Sequence, residues 1–121
     1  VSLVARHLEE NGVPTVVMGS ARDVVEECGV ARFVFTDFPL GNPCGKPWDA
    51  EMQRAIVGMG LDMLERAWMA RTTVQTPFLW GNDEWRDAFM RVDDSNREAL
   101  AREGKERRHR QVEAKQERLR M

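Results

Sequence analysis

Apolar and polar positions alternate along the first third of the chain in blocks whose periods change twice. Residues 2–11 carry Leu3, Val4 and Leu8 on one side and Arg6, Glu9 and Glu10 elsewhere, a pattern that predicts an amphipathic helix. Ser2 is a candidate cap for its start, and Gly12 ends it. Pro14-Thr-Val-Val-Met18 is a short apolar run rich in β-branched residues and predicts a buried strand. Gly19-Ser20 breaks it, and Ser20 is placed to cap a helix over 21–28 that stops at Gly29. Arg32-Phe-Val-Phe-Thr36 predicts a second strand.

The segment 37–48 holds Pro39, Pro43, Pro47, Gly41 and Gly45, which forbid helix and strand alike. Asp49 then caps a predicted helix over 50–69, whose apolar stripe is Met52, Ala55, Ile56, Met59, Met63, Leu64 and Ala67. Gly58 and Gly60 weaken that helix by roughly 1 kcal/mol each relative to Ala, so tight packing against another backbone is expected at both. Thr72–Thr76 predicts an edge strand, and Phe78 through Phe89 forms an aromatic strap. Asn82 or Asp83 caps a short helix to about 91 with Trp85, Ala88, Phe89 and Val92 on one side. From 94 on, Ala99, Leu100, Val112 and Leu119 are scattered among charges. A helix of that kind is marginal in water unless it docks on something.

Helix, strand, helix, strand with short connections is the grammar of a parallel sheet with crossover helices. The fold class is therefore α/β: a partial parallel sheet with flanking helices, a Rossmann- or flavodoxin-like half domain, followed by a long charged C-terminal helix or tail. Three regions are expected, at 1–70 (the half domain), 71–93 (edge strand, strap and short helix) and 94–121 (the charged tail). So few strands make a poor sheet, and the first helix has no strand before it. Further strands are expected from a preceding segment or another chain, and a homo-oligomer is expected on the same ground.

Charge sharpens the division. The chain of 121 residues has a net charge of −2, but residues 1–93 hold 9 Lys/Arg against 14 Asp/Glu, whereas 94–121 hold 9 against 6. Arg107, Arg108 and Arg110 in the tail invite nucleic acid. The interleaved glutamates and the lack of aromatics argue against it. No apolar run approaches a membrane span, and no export signal opens the chain. Two cysteines without zinc-ligand spacing fit a reducing, cytoplasmic setting.

Ligands of open parallel sheets bind at the carboxyl ends of the strands. That places Gly19 and Ser20 after the first strand, and Asp37, Gly41, Asn42 and Lys46 after the second, as candidate substrate-binding residues. Gly19-Ser20 at a helix start suits an anion, and the competing reading is a plain turn and cap. The proline-rich loop suits a fixed binding surface, or equally a rigid packing piece. Cys44 has Lys46 two residues away, which lowers a thiol pKa. No histidine base is near it in sequence, so Cys44 is a weak catalytic candidate and a bystander otherwise. Cys28 reads as a small buried residue, and His7 and His109 as surface residues. No metal site and no cofactor site are expected.

Three pieces in order carry a family resemblance: Val4-Ala-Arg-His-Leu-Glu-Glu-Asn-Gly-Val-Pro-Thr-Val-Val17, Phe38-Pro-Leu-Gly-Asn-Pro43, and Asp49 through Leu64 with its Gln53-Arg54 opening. The stretch 2–65 resembles the C-terminal part of the glycine/sarcosine/betaine reductase selenoprotein B family, which includes D-proline-reductase-like proteins. The resemblance implies an oxidoreductase component for reductive C–N cleavage of a small amine. In that family the nucleophile is a selenocysteine or cysteine in a loop just before the helix that corresponds to 2–11. The chain is thus expected to wall a substrate crevice while the Sec/Cys comes from a preceding half or a partner chain. A selenocysteine codon read as a stop would divide such a gene at that point. The family pattern does not demand a cysteine at position 44. Two other readings stay open: a non-catalytic, oligomerising interaction module derived from the family, and a small-anion binder, which no glycine-rich phosphate loop supports.

Overall fold

A computed structural model describes residues 1–120, which form two compact units, Val1–Arg86 and the segment from Asp87 onward. The first unit runs α1 (Ser2–Glu10), β1 (Val17–Gly19), α2 (Arg22–Cys28), β2 (Arg32–Phe35), α3 (Ala50–Arg66) and β3 (Thr72–Gln75). A short helix, α4 (Glu84–Ala88), follows, and α5 (Arg97–Arg120) occupies the second unit.

The sheet is parallel throughout, in the order β1-β2-β3, with Val17, Met18 and Gly19 beside Phe33, Val34 and Phe35, and Arg32 through Phe35 beside Thr72 through Gln75. Side-chain alternation sorts the core into two layers. Val17, Phe33 and Phe35 face Ala5 of α1, Val25 of α2 and Val30. Val34 faces Ile56 and Met63 of α3, with Val16, Met18, Met52, Val74 and Phe78 packed around them. Phe33, Val34 and Ile56 are almost wholly buried, and each is worth about 1.5–3 kcal/mol against exposure.

This is an α/β domain, an open three-stranded parallel sheet with helices on both faces. One detail is not readable from the element order. The strands step in one direction across the sheet while α2 lies on the Phe33 face and α3 on the Val34 face. Two crossovers on opposite faces that step the same way have opposite hands, so one of them is left-handed, a sense found in roughly 2% of such units.

Several local expectations change. Helix α1 buries Ala5 and leaves Leu3 and Val4 exposed, so its inward face is turned from the predicted stripe. No side chain caps α1, and the N-cap of α2 is Ala21 rather than Ser20. Helix α3 ends at Arg66, and its N-cap is Asp49, whose Oδ1 accepts the Met52 amide at 3.0 Å. Gly60 gives the expected close approach, since a Cβ there would sit 3.4 Å from Met18 Sδ. Gly58 has nothing within 4 Å. The short helix α4 stops at Ala88, and Phe89 and Val92 beyond it are exposed, not packed on one side. Every residue of α5 except Gly104 is exposed.

Glu9 ties α1 to the sheet. Its Oε1 accepts the Thr15 amide at 2.6 Å, the Thr15 hydroxyl at 3.1 Å and Arg32 Nη1 at 2.6 Å. The Thr15 amide, with the Thr15 hydroxyl and Arg32 adding to it against a burial cost, holds the Glu9 carboxyl below its ordinary pKa. Among the described residues, Arg32 Nε is buried without a hydrogen-bond partner.

Candidate functional site

The carboxyl ends of the strands are closed by a buried hydroxyl pair. Thr36 and Thr76 follow β2 and β3 directly. The Thr36 amide donates to the Gly19 carbonyl at 3.0 Å and the Thr76 amide to the Phe35 carbonyl at 2.8 Å. These bonds extend the ladder by one residue and turn the chain outward at Asp37 and Pro77. Phe38 is buried beneath the loop and meets Trp80 edge-on, with ring centroids 5.2 Å apart.

Above this floor, Asp37, Leu79, Trp80, Gly81, Asn82, Asp83, Trp85 and Arg86 line a hollow of about 160 Å³. Arg86 organises it. Its Nη2 donates to Asp37 Oδ2 and its Nε to Asp83 Oδ1 at 3.0 Å, and its guanidinium lies 4.5 Å from the Trp85 ring centroid. The hydrogen bond to Asp37, then that to Asp83, pushes the Arg86 pKa up further. Lys46 stands beside the hollow, its Nζ 5.7 Å from the Trp80 ring centroid. The combination is two carboxylates, two cations and two indoles around a space the size of a small zwitterion.

Helix α3 pins the loop 37–48 at Lys46. Gln53 Nε2 of α3 donates to the Lys46 carbonyl at 2.7 Å. Gly45 is buried with φ +109°, and a Cβ there would press on Ile56 and Met52 at 3.3 Å. Left-handed backbone and lack of room both demand glycine.

Among the candidate residues, Asp37 lines the hollow and Lys46 borders it. The others lie elsewhere. A Cβ on Gly19 would meet the Phe33 ring at 3.2 Å, so its smallness admits that ring. Ser20 makes no cap. Asn42 spends its side-chain amide on the Pro39 carbonyl at 3.2 Å, and Gly41, at φ +96°, turns the loop in open space. Cys44 is half-buried, free and not on the hollow's lining. Arg86 and Trp85 are the residues the sequence reading missed. Their partner Asp37 lies 49 positions away, and nothing local marks the pairing.

A larger hollow of about 340 Å³ lies at the other end of the sheet, lined by Met59, Asp62, Met63, Arg66, Ala67, Trp68, Thr72 and Val74. Its apolar walls suit packing more than chemistry. Among the described residues no group of three or more His, Cys, Asp or Glu side chains is placed to hold a metal ion. No described helix is long and apolar enough to cross a membrane.

The chain is homologous over part of its length to the D-proline reductase subunit gamma of Acetoanaerobium sticklandii. The two are 34% identical over 76 residues, a match that takes in 63% of this chain and 31% of that protein. The chain thus matches less than a third of its relative's length. No family model matches the chain, and no solved structure matches it.

Proposed function

We propose that the chain walls the substrate crevice of a cytoplasmic, thiol- or selenol-dependent reductase that cleaves a C–N bond in a small amino acid. The observation that carries this reading is the 34% identity over 76 residues with a D-proline reductase subunit. The hollow at the carboxyl ends of β2 and β3 supports it in chemical kind, because its charges complement both ends of an amino acid.

In this account Lys46 attracts the substrate carboxylate, and Asp37, giving up the bond it accepts from Arg86, takes the ammonium. Trp80 and Trp85 cover the apolar ring or methylene atoms and exclude water. The reaction is a two-electron reduction. The Cα–N bond breaks, Cα gains a hydrogen, and the nitrogen leaves as a protonated amine. The two electrons come from a thiol or selenol that ends as a disulfide or selenosulfide. That nucleophile is supplied by another segment or chain, since Cys44 does not line the hollow. For D-proline the product is the open-chain 5-aminopentanoate.

The test is to purify the protein in its native associations and supply D-proline with a dithiol reductant. Formation of 5-aminopentanoate that stops on alkylation of thiols and selenols supports the reading. Native material that binds no small amine and reduces none removes it.

A further inference from the structure

Glutamates and cations are interleaved along the sequence of α5, but the helix sorts them in space. At about 100° per residue, Glu98, Glu103, Glu106, Glu113 and Glu117, all the acidic residues of the helix, fall within an arc of about 140°. The remaining arc of about 220° carries no acid and holds Arg97, Lys105, Arg107, Arg108, Lys115 and Arg118. Arg102, Arg110 and Arg120 stand among the glutamates instead. All these side chains are exposed. On the acid-free side Arg97 pairs with Asp94 at 3.1 Å, and the other five cations make no ion pair among the described residues. Lys105 and Arg108 stand three positions apart, as do Lys115 and Arg118. Such like-charged neighbours destabilise a helix, and nothing within α5 offsets them.

From this sorting we propose that the acid-free side of α5 binds the phosphate backbone of duplex DNA, without reading its sequence. The charges identify the partner as an extended anion. Arg97 and Arg118 lie about 32 Å apart along a straight helix, close to one turn of a duplex. Most of the six cations are arginines, whose planar guanidinium matches phosphate in a bidentate way. A single strand needs aromatic rings to stack its bases, and α5 has none. A lipid surface needs a continuous apolar stripe to enter the acyl boundary. Here Leu100 stands about 120° round the helix from Val112, so no such stripe exists. The major groove of B-form DNA admits a helix, whereas that of duplex RNA is too narrow. No residue of α5 lines the hollow at Asp37, so the proposal goes beyond the reductase reading and does not depend on it.

The experiment is fluorescence anisotropy of the full chain with a labelled DNA duplex of about 30 base pairs, roughly three helical turns, over a salt series. The single strand of the same sequence and vesicles of equal parts phosphatidylcholine and phosphatidylserine are run in parallel. The duplex binds, and the logarithm of its affinity falls with the logarithm of salt at a slope of about −5. Arg107→Gln with Arg108→Gln lowers the steepness of that slope by about 2 and weakens binding about 10- to 100-fold at low salt. Arg102→Gln with Arg110→Gln removes the same charge from the glutamate side and weakens binding by less than about threefold. Glutamine is a good helix former, and circular dichroism verifies equal helix in the two variants. No binding to the duplex at low salt overturns the proposal. Equal losses in the two variants overturn it as well, since they report net charge alone. So does tighter binding to the single strand, or binding to the vesicles without binding to the duplex.

Discussion

Thr76 Oγ1 donates to Thr36 Oγ1 at 3.2 Å, joining two hydroxyls 40 positions apart in a fully buried place where β2 and β3 end. The bond fixes how far the two strands run before the chain turns outward. It therefore fixes where Asp37 and the strap bearing Trp80 emerge.

Thr36→Val removes the acceptor and leaves the Thr76 hydroxyl buried and unpaired. The expected loss is about 1–3 kcal/mol of stability in urea unfolding. The double substitution to Val removes donor and acceptor together and costs less than the sum of the two singles. Additive costs would mean that the hydroxyls are not coupled.

Gly45→Ala tests whether the proline-rich loop is moulded onto α3. Both the positive φ and the 3.3 Å approach to Ile56 and Met52 oppose a side chain. A loss of about 1–3 kcal/mol is expected, with Lys46 displaced. Gly41→Ala shares the backbone penalty but lacks the clash, and it costs less in the same thermal or urea unfolding measurement.

Glu9 supplies a pH dependence. Its native pKa is depressed, so the ionised form is the one favoured by folding. The stabilisation is complete above the ordinary glutamate value of 4.5 and is lost as pH falls below it toward the native pKa. Glu9→Gln therefore loses stability at pH 7 and little at low pH, which flattens that part of the profile. Parallel unfolding profiles of the two proteins below pH 5 would contradict the assignment.

Local chemistry made much of the fold legible. The β-branched runs gave β1 and β2, Asp49 and the Met52–Ile56–Met63 spacing gave α3, and Gly29 ended α2 in the left-handed conformation glycine tolerates. Tertiary packing decided what the sequence reading missed. Ala5, not Leu3 or Val4, takes the inward face of α1 against the Phe33 layer, a rotation of the helix that its own periodicity does not encode. The opposite-face placement of α2 and α3 is a property of the crossovers, and periodicity within one element does not encode it. Asp37 and Lys46 stand at the hollow, in places that strand ends and stiff loops make readable. The placing of Arg86 and Trp85 was not readable, since an ion pair between residues 49 positions apart leaves no local spacing to detect.

The proposed function is tested most directly at Asp37. In natively associated protein supplied with D-proline and a dithiol, Asp37→Asn keeps the fold and the neighbouring Arg86 contact in neutral form but loses the charge that takes the substrate ammonium. The account predicts a fall of about 10- to 100-fold in kcat/KM for 5-aminopentanoate formation, equivalent to about 1.4–2.7 kcal/mol of transition-state stabilisation. An unchanged rate in a correctly folded Asp37→Asn protein would contradict it.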